Sequence, residues 1–579
     1  MRTISVADYF VEFLIANEIT DVFGYQGGMI AYIFDSLGKY KDKIRYHSCA
    51  TEQGAALAAC GYAQASHKIG VAISTSGPGF TNMLTGIANA WFDSVPVLFI
   101  SGNVNTKDKK RGMLTRQLGF QEIQAAQMAA PISKKVYEFE LDTDYVACLQ
   151  EAYCTALTKR KGPVYIDLPI NVCREMVTVD EIKTVTVPDG KQDKIQEQIE
   201  VIVDNIAKSK RPLIIAGAGI KQVGAKEEFR KLIELMQIPV ASTLPAVDIL
   251  PSTSKYMLGY IGGTARREAE IALQNADFVL SIGTRLCSKQ VGHNMSLFAP
   301  KAKTFVRVDI DESEFERKLK DNELQIKADA YALLKEMLSY TQKNQYKPVH
   351  EKWVENCDKI YNIMQKVDIT QGNLYMKKIT DMLPDDANIV LDVGKNMTYG
   401  GQSSRIKNKT EVYMSAGLGT MGYSLPAAIG AYYGNHRPTV AFMGDGGAQM
   451  NIQELNTIVK NKLPIKVVVF NNKALGNIRI FQEQYLNSHF VATMESEGDY
   501  FSCDFSAIAN AYGMDSVTVD DNEELEKLQN KLKNSEPTLI EIIYKDCEVL
   551  PGIVAGGNYL DEKTGIDDIT REEIIKLLK

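Results

Sequence analysis

Residues 438–446 read Pro-Thr-Val-Ala-Phe-Met-Gly-Asp-Gly, and residues 465–472 read Ile-Lys-Val-Val-Val-Phe-Asn-Asn. Each is a short apolar run that stops at glycine, aspartate or asparagine. Runs of this kind suit strands buried on both faces, as in parallel sheets covered by helices. The ends of such strands are where open parallel sheets collect ligands. Asn472 follows Asp445 by 27 residues, which leaves room for a helix, so two oxygen-bearing side chains face one crevice. Moving outward, NIVLDVG (388–394) and PTLIEIIY (537–544) complete this set. Two further sets precede it: VAIST (71–75), VPVLFIS (95–101) and GPVYIDLP (162–169), then PLIIAGAG (212–219), FVLSIG (278–283) and TFVRVDID (304–311). The alternation with stretches rich in Ala, Gln and Glu predicts an α/β fold class: three Rossmann-like or flavodoxin-like domains with parallel sheets. Polar stretches near 174–200 and 341–352 mark the joins, which gives domains at 1–175, 190–345 and 365–550 and a tail at 551–579. A chain of 579 residues is long enough for several cores.

Composition narrows the function classes. The chain is 45% hydrophobic and 24% charged, with a formal net charge of -7. Its basic residues are spread along the chain, so nucleic acid is not an expected partner. No run reaches the roughly 18 apolar residues that span a bilayer, and residues 1–20 lack the pattern of a secretory signal; the expected location is cytoplasmic. Nine cysteines without a Cys-x-x-Cys pair read as reduced thiols rather than a disulfide framework or zinc site.

The chemistry concentrates at Gly444-Asp445-Gly446-Gly447. A carboxylate from Asp445, the Asn472 side chain and the Ala474 carbonyl suit a hard cation such as Mg²⁺ that keeps positions for phosphate oxygens. Gly446 and Gly447 allow close backbone approach, and a helix expected over 448–455 would turn its positive end to a diphosphate. Gly-Asp-Gly and Asn-Asn are each common turn sequences taken singly. Their pairing, each behind a strand, is what carries the reading.

This pattern resembles the cofactor signature of thiamine-diphosphate-dependent enzymes, and the resemblance, closest to the acetolactate synthase group, runs along nearly the whole chain. Val22-Phe23-Gly24-Tyr25-Gln26-Gly27-Gly28 is similar to the family's opening loop, with Gln26 where proline is usual. Glu52 in Thr51-Glu52-Gln53-Gly54 matches the catalytic glutamate. Thr75-Ser76-Gly77-Pro78-Gly79 and Thr81-Asn82 resemble the loop near the cofactor ring, and Phe120-Gln121-Glu122 with Lys134 resembles a substrate-side segment. Ala416-Gly417-Leu418-Gly419-Thr420-Met421-Gly422 resembles the stretch whose methionine keeps the cofactor bent.

The resemblance implies a pyrimidine-binding first domain, a central domain, and a third domain that binds diphosphate and Mg²⁺. It implies catalytic roles for Glu52, Gln121 and Met421. Cofactor contacts are implied for Tyr25, Gln26, Gly27, Pro78, Asn82, Gln402, Gly419, Gly444, Asp445, Gly446, Gly447, Asn472, Ala474, Leu475, Gly476 and Asn477, and substrate contacts for Phe120, Gln121, Lys134, Lys289 and Phe481. Glu52 would hydrogen-bond the pyrimidine so that the cofactor's own nitrogen takes the proton from thiazolium C2. The implied reaction decarboxylates a 2-oxo acid, pyruvate above all, and passes the two-carbon unit to a second carbonyl compound. Related pyruvate decarboxylases release aldehyde with the help of adjacent histidines; the six histidines here include no adjacent pair, which favours carboligation. Family members are homodimers or homotetramers with active sites between subunits.

Departures from the pattern bear on the acceptor. Lys289 stands where synthases hold a carboxylate with arginine, and lysine lacks the two-pronged grip. Asn477 and Phe481 replace methionine and tryptophan, and Lys395-Asn396-Met397 departs from the usual glutamine and histidine pattern. A keto-sugar is therefore an expected acceptor beside a second pyruvate, the latter being ordinary acetolactate synthesis. Gly217, Gly219, Gly259, Gly283, Arg285 and Asp309 resemble places where flavin-bearing relatives hold FAD, so a pyruvate oxidase-like flavoenzyme is the alternative. A dehydrogenase is disfavoured because Gln222 occupies the last position of Gly-x-Gly-x-x-Gly.

Overall fold

The structure is a computed structural model that describes residues 1–187, 195–367, 370–545 and 566–579. The apolar runs become the middle strands of three six-stranded sheets, and every neighbouring pair within those sheets is parallel. Val97–Asn103, Val164–Pro169, Phe278–Ile282 and Ile465–Asn471 are buried at every position, as strands sandwiched between helix layers must be. Shorter strands escaped the sequence pattern. Arg45–Ser48, Lys135–Glu138, Glu323–Lys327 and Asp515–Val519 lie at sheet edges and carry polar residues toward solvent. Asp21–Gly24, expected as part of a loop, is a fully buried strand, and the loop begins at Tyr25.

The first and third sheets share one topology. Taken in chain order, their strands lie second, first, third, fourth, sixth, fifth, whereas the central sheet runs third, second, first, fourth, fifth, sixth. In the first and third sheets the connections reverse direction between the first and third strands, which opens a crevice at their carboxyl ends. In the third sheet those strands are Asn388–Leu391 and Thr439–Gly444. An antiparallel ribbon of Arg2–Ser5 with Met176–Val179 closes the first unit. The expected join at 174–200 lies partly, at 188–194, outside the described residues, as do 551–565 of the expected tail. The last helix, Asp568–Leu578, returns to the central unit: Ile574 is buried, and the Leu577 and Leu578 carbonyls accept from Asn356 and Arg211.

Helix Glu52–Ser66 lies along helix Ser424–Asn435, joining first and third units by small residues. A methyl at Gly430 would stand 1.8 Å from the Ala58 carbonyl oxygen, and one at Gly61 would stand 2.1 Å from that of Ala427. Such contact of backbones is open only to glycine. The eight described cysteines are free; Cys547 lies outside the described residues. No described helix is long and apolar enough to cross a membrane.

Candidate active site

Asp445 ends strand Thr439–Gly444 and opens helix Asp445–Met450. That helix starts earlier than the sequence suggests and breaks at Asn451, whose buried side chain donates to the Gly422 carbonyl at 2.8 Å. The Asp445 carboxylate is 2% exposed. One oxygen accepts from Gly446 N and the other from Ala474 N, both at 3.0 Å. Burial pushes its pKa up to about 6, opposed by those donors and by the Tyr500 phenol beside it. Each oxygen retains lone pairs for a further partner. Asn472 follows the next strand, and its amide lies 3.0 Å from where a Gly476 side chain would begin.

The glycines here are required by protein neighbours as much as by any ligand. A Cβ on Gly446 would strike Leu475 at 2.5 Å and stand 3.3 Å from the Met421 methyl; one on Gly447 would strike the Asp392 carboxylate at 2.7 Å. Asp392, at the end of the first strand, accepts from Gly422 N at 2.9 Å and Ser424 N at 2.8 Å. Burial raises its pKa to about 6, against those amides. Thus Asp392 and Asn451 grip Gly422 from two sides, and Met421 is carried on the gripped loop, with Gly419 and Gly422 at positive φ. Across the crevice, Asn396 sits at the start of helix Lys395–Ser403, 1% exposed, its amide nitrogen 3.9 Å from a Gly444 Cβ. Neither polar atom of Asn396 has a hydrogen-bond partner among the described residues. An orphaned buried amide, a carboxylate with lone pairs to spare and a helix start at one crevice fit a metal-bound diphosphate.

Glu52 heads helix Glu52–Ser66, capped by the Thr51 hydroxyl. Asn82 donates to Glu52 Oε2 at 2.9 Å, and a Cβ on Gly79 would lie 3.4 Å from Oε1. The loop before it is clamped by Glu454 of the third unit, whose Oε1 accepts from Ala50 N at 3.0 Å and Thr51 N at 3.3 Å. Gly27 packs on Thr75, and Thr75 Oγ1 accepts from Met29 N. Pro78 opens its helix behind Gly77, whose positive φ turns the chain. Gln121, itself at φ 65°, backs against Gly77. Phe120 is 78% exposed, and Tyr25 also faces solvent. Gln26 lines a shallow hollow with Arg45 and Tyr46.

Two expected site residues have their polar atoms engaged by partners within the chain. Lys134 donates to the Thr155 and Thr158 carbonyls at the end of helix Tyr145–Leu157, so its ammonium caps a helix. Gln402 donates to Thr264 O at 2.7 Å and accepts from Asn373 at 2.9 Å, tying third unit to central unit. Asp392, Asn396, Asn451, Glu454 and Tyr500 were not among the expected site residues. Asp392, at a strand end, and Asn396, in the stretch that departs from the family pattern, carried a sequence signal.

Between the units lies a cleft of about 300 Å³, lined by Gly219, Gly283, Arg285, Lys289, Asp309 and Gly419 among others. Gly217 N and Gly219 N are spent on the Ile282 and Gly283 carbonyls at 2.9 and 3.0 Å, and a Gly217 Cβ would strike Gly283 O at 2.1 Å. Asp309 is held by Asp311 N at 3.0 Å. The Gly217 and Gly219 amides, already used by the Ile282 and Gly283 carbonyls, are not free to receive a flavin diphosphate. Gly259, at φ 90°, has open space beside it. Lys289 lies on helix Ser288–Val291, its carbonyl accepting from Gly263 N. Asn477, Phe481 and Tyr485 are exposed along helix Gly476–Tyr485.

Three family profiles match the chain: the thiamine pyrophosphate enzyme N-terminal binding domain over residues 4–128, the central domain over 199–337 and the C-terminal binding domain over 392–542. The chain is 33% identical over 557 residues to the acetolactate synthase large subunit of Lactococcus lactis, covering 94% of this chain and 93% of that one. It is 29% identical to the acetolactate synthase isozyme 2 large subunit of Escherichia coli, over 95% and 97% of the two chains. With the acetolactate synthase large subunit of Corynebacterium glutamicum the identity is 32%, over 93% and 87%.

Proposed function

The chain belongs to the thiamine pyrophosphate enzyme family, alongside the acetolactate synthase large subunits, and on that premise we propose that it decarboxylates pyruvate and joins the remaining two-carbon unit to a second carbonyl compound. The reading rests on one observation above the rest: Asp445, a buried carboxylate at the crevice of the third sheet, held by the Gly446 and Ala474 amides. Asp445, the Asn472 amide and the Ala474 carbonyl would hold Mg²⁺, and the Asn396 amide would serve a phosphate oxygen. When bound, thiamine diphosphate supplies the electron sink that makes loss of CO₂ from a 2-oxo acid possible. Glu52, oriented by Asn82, would exchange a proton with the pyrimidine when the cofactor is bound. Met421 fills the space beside Gly446 and would prop the cofactor when it is bound. Gln121 and Phe120 face the substrate. The bond to the carboxylate carbon breaks, a new carbon–carbon bond forms to the acceptor carbonyl, and the acceptor oxygen takes a proton. No flavin is needed for this redox-neutral sequence.

The acceptor is inferred from Lys289. A single ammonium grips a carboxylate less well than arginine, while Asn477 offers a donor and an acceptor to hydroxyls. A hydroxylated ketone of keto-sugar type is accordingly the favoured acceptor and pyruvate the slower one. Incubation of carbon-13 pyruvate with thiamine diphosphate and Mg²⁺ should release CO₂ and leave the labelled unit in a larger ketol. Acetaldehyde as the sole product would refute carboligation. Acetolactate formed from pyruvate alone at about 10 per second, a typical enzyme rate, would refute the acceptor assignment.

A further inference from the structure

Residues 486–504 lie along the loop that follows strand Ile465–Asn471. Leu475 N donates to Thr493 O at 2.9 Å, Glu495 N to Lys473 O at 3.1 Å and Ser502 Oγ to Asn471 Oδ1 at 2.8 Å. Ala474 and Met494 form an antiparallel bridge, and Lys473 pairs with Glu495 at 2.9 Å. Between these anchors Tyr500 turns inward. Its hydroxyl is shut off from solvent and has no partner at hydrogen-bonding geometry among the described residues. It lies 3.4 Å from a Gly446 Cβ, on the side that the Met421 methyl also approaches. The Asp445 carboxylate is the acceptor beside it and raises the phenol's pKa, burial being the larger cause, yet the hydroxyl does not meet that carboxylate at full hydrogen-bonding geometry.

Leaving a buried hydroxyl unpaired is unfavourable, and a donor held in that state signals an acceptor that the folded chain does not itself supply. Asp445 takes an amide at each oxygen and would turn its remaining lone pairs to the metal, whereas a diphosphate brings several anionic oxygens to the same place. We propose that Tyr500 is a binding residue of this site, its hydroxyl donating to the oxygens of the diphosphate gathered at Asp445. This rests on the cofactor reading and adds to it a residue from a strap that no cofactor motif includes. The strap thereby couples its own order to the cofactor: with diphosphate present the phenol gains its partner, and 486–504 gains a reason to stay closed on the loop.

Tyr500→Phe keeps the ring and removes only the hydroxyl. Full-length protein dialysed free of cofactor and metal would be titrated with thiamine diphosphate at fixed Mg²⁺ by calorimetry. The expected result is affinity weaker by about tenfold, the scale of a hydrogen bond to a charged group, with the Tm of the cofactor-free variant equal to or above wild type, because no unpaired hydroxyl remains buried. Unchanged affinity overturns the proposal. So does a lower Tm of the cofactor-free variant, since the hydroxyl would then serve the fold itself. Asp445→Ala, run in parallel, separates the two readings: if it abolishes binding while Tyr500→Phe does not weaken it, Tyr500 alone is misassigned. If Asp445→Ala also binds as wild type does, the cofactor site itself is refuted.

Discussion

Asp445 and Glu52 are both carboxylates, yet their surroundings set them different tasks. Asp445 is buried and receives two main-chain amides, the setting of a fixed ligand. Glu52 sits at a helix start with one amide partner, Asn82, and keeps an oxygen for something that arrives. A carboxyl that passes a proton cannot be replaced by an amide of the same shape. Glu52→Gln should therefore fold and bind thiamine diphosphate normally but lose at least about 100-fold in turnover, the usual scale for general acid–base catalysis. Exchange of the cofactor's C2 proton, followed by NMR, should slow in parallel. Fast exchange with slow turnover would move Glu52 to a later step.

At the scale of elements, the pairing of helix Glu52–Ser66 with Ser424–Asn435 fixes how the first and third units of one chain sit against each other. The first helix starts at Glu52, and the second begins two residues after Gly422, on the loop that Asp392 and Asn451 grip. Their contact depends on Gly61 and Gly430. Since the obstacle at Gly430 is the Ala58 backbone, which cannot rotate away, Gly430→Ala should force the helices apart. Overpacking of this kind should cost roughly 3 kcal/mol, read as a lower midpoint in urea unfolding. Cofactor affinity should fall as well, because the Met421 loop moves with its helix. A stable variant of normal affinity would mean that the helices slide without consequence.

For the whole molecule, the central unit acts as a fastener. Asp248, buried and held well below the usual carboxylate range by Lys221 and Lys226, accepts from Val412 N in the third sheet. Lys226 also reaches Glu411 and the Thr410 carbonyl. Arg230 meets the Asn408 carbonyl, so one face of the central unit grips an edge of the third. Glu52 meets Asn82 and Gly79 of the first unit, while Asp445 meets partners of the third. A site completed by a second copy follows as the proposed arrangement. Mixing inactive Glu52→Gln chains with inactive Asp445→Ala chains should then restore about a quarter of wild-type activity after random exchange, since half the dimers would be mixed and each would hold one intact site. No recovery after demonstrated exchange would place both groups of a working site in one chain.

The sequence by itself determined the α/β class, the three sheets and the positions of their buried strands, because a strand covered on both faces must be apolar throughout, and that demand is local. It also singled out candidates: Asp445 and Asn472 from the glycines and asparagines that end their strands, and Glu52 from the family resemblance. Edge strands such as Arg45–Ser48 stayed illegible because so little of them is buried: of its four residues only His47 is. Only the tertiary structure decided which side chains already have partners. Gln402 and Lys134 look like site residues in the chain, but their partners are the Thr264, Thr155 and Thr158 carbonyls, which no local pattern announces. Asn396 and Tyr500 are the converse: not expected site residues in the sequence, but left with buried, unpaired polar atoms by the packing around them. Hydrophobic spacing records how deeply a residue is buried; which donor meets which acceptor depends on segments brought together from far along the chain.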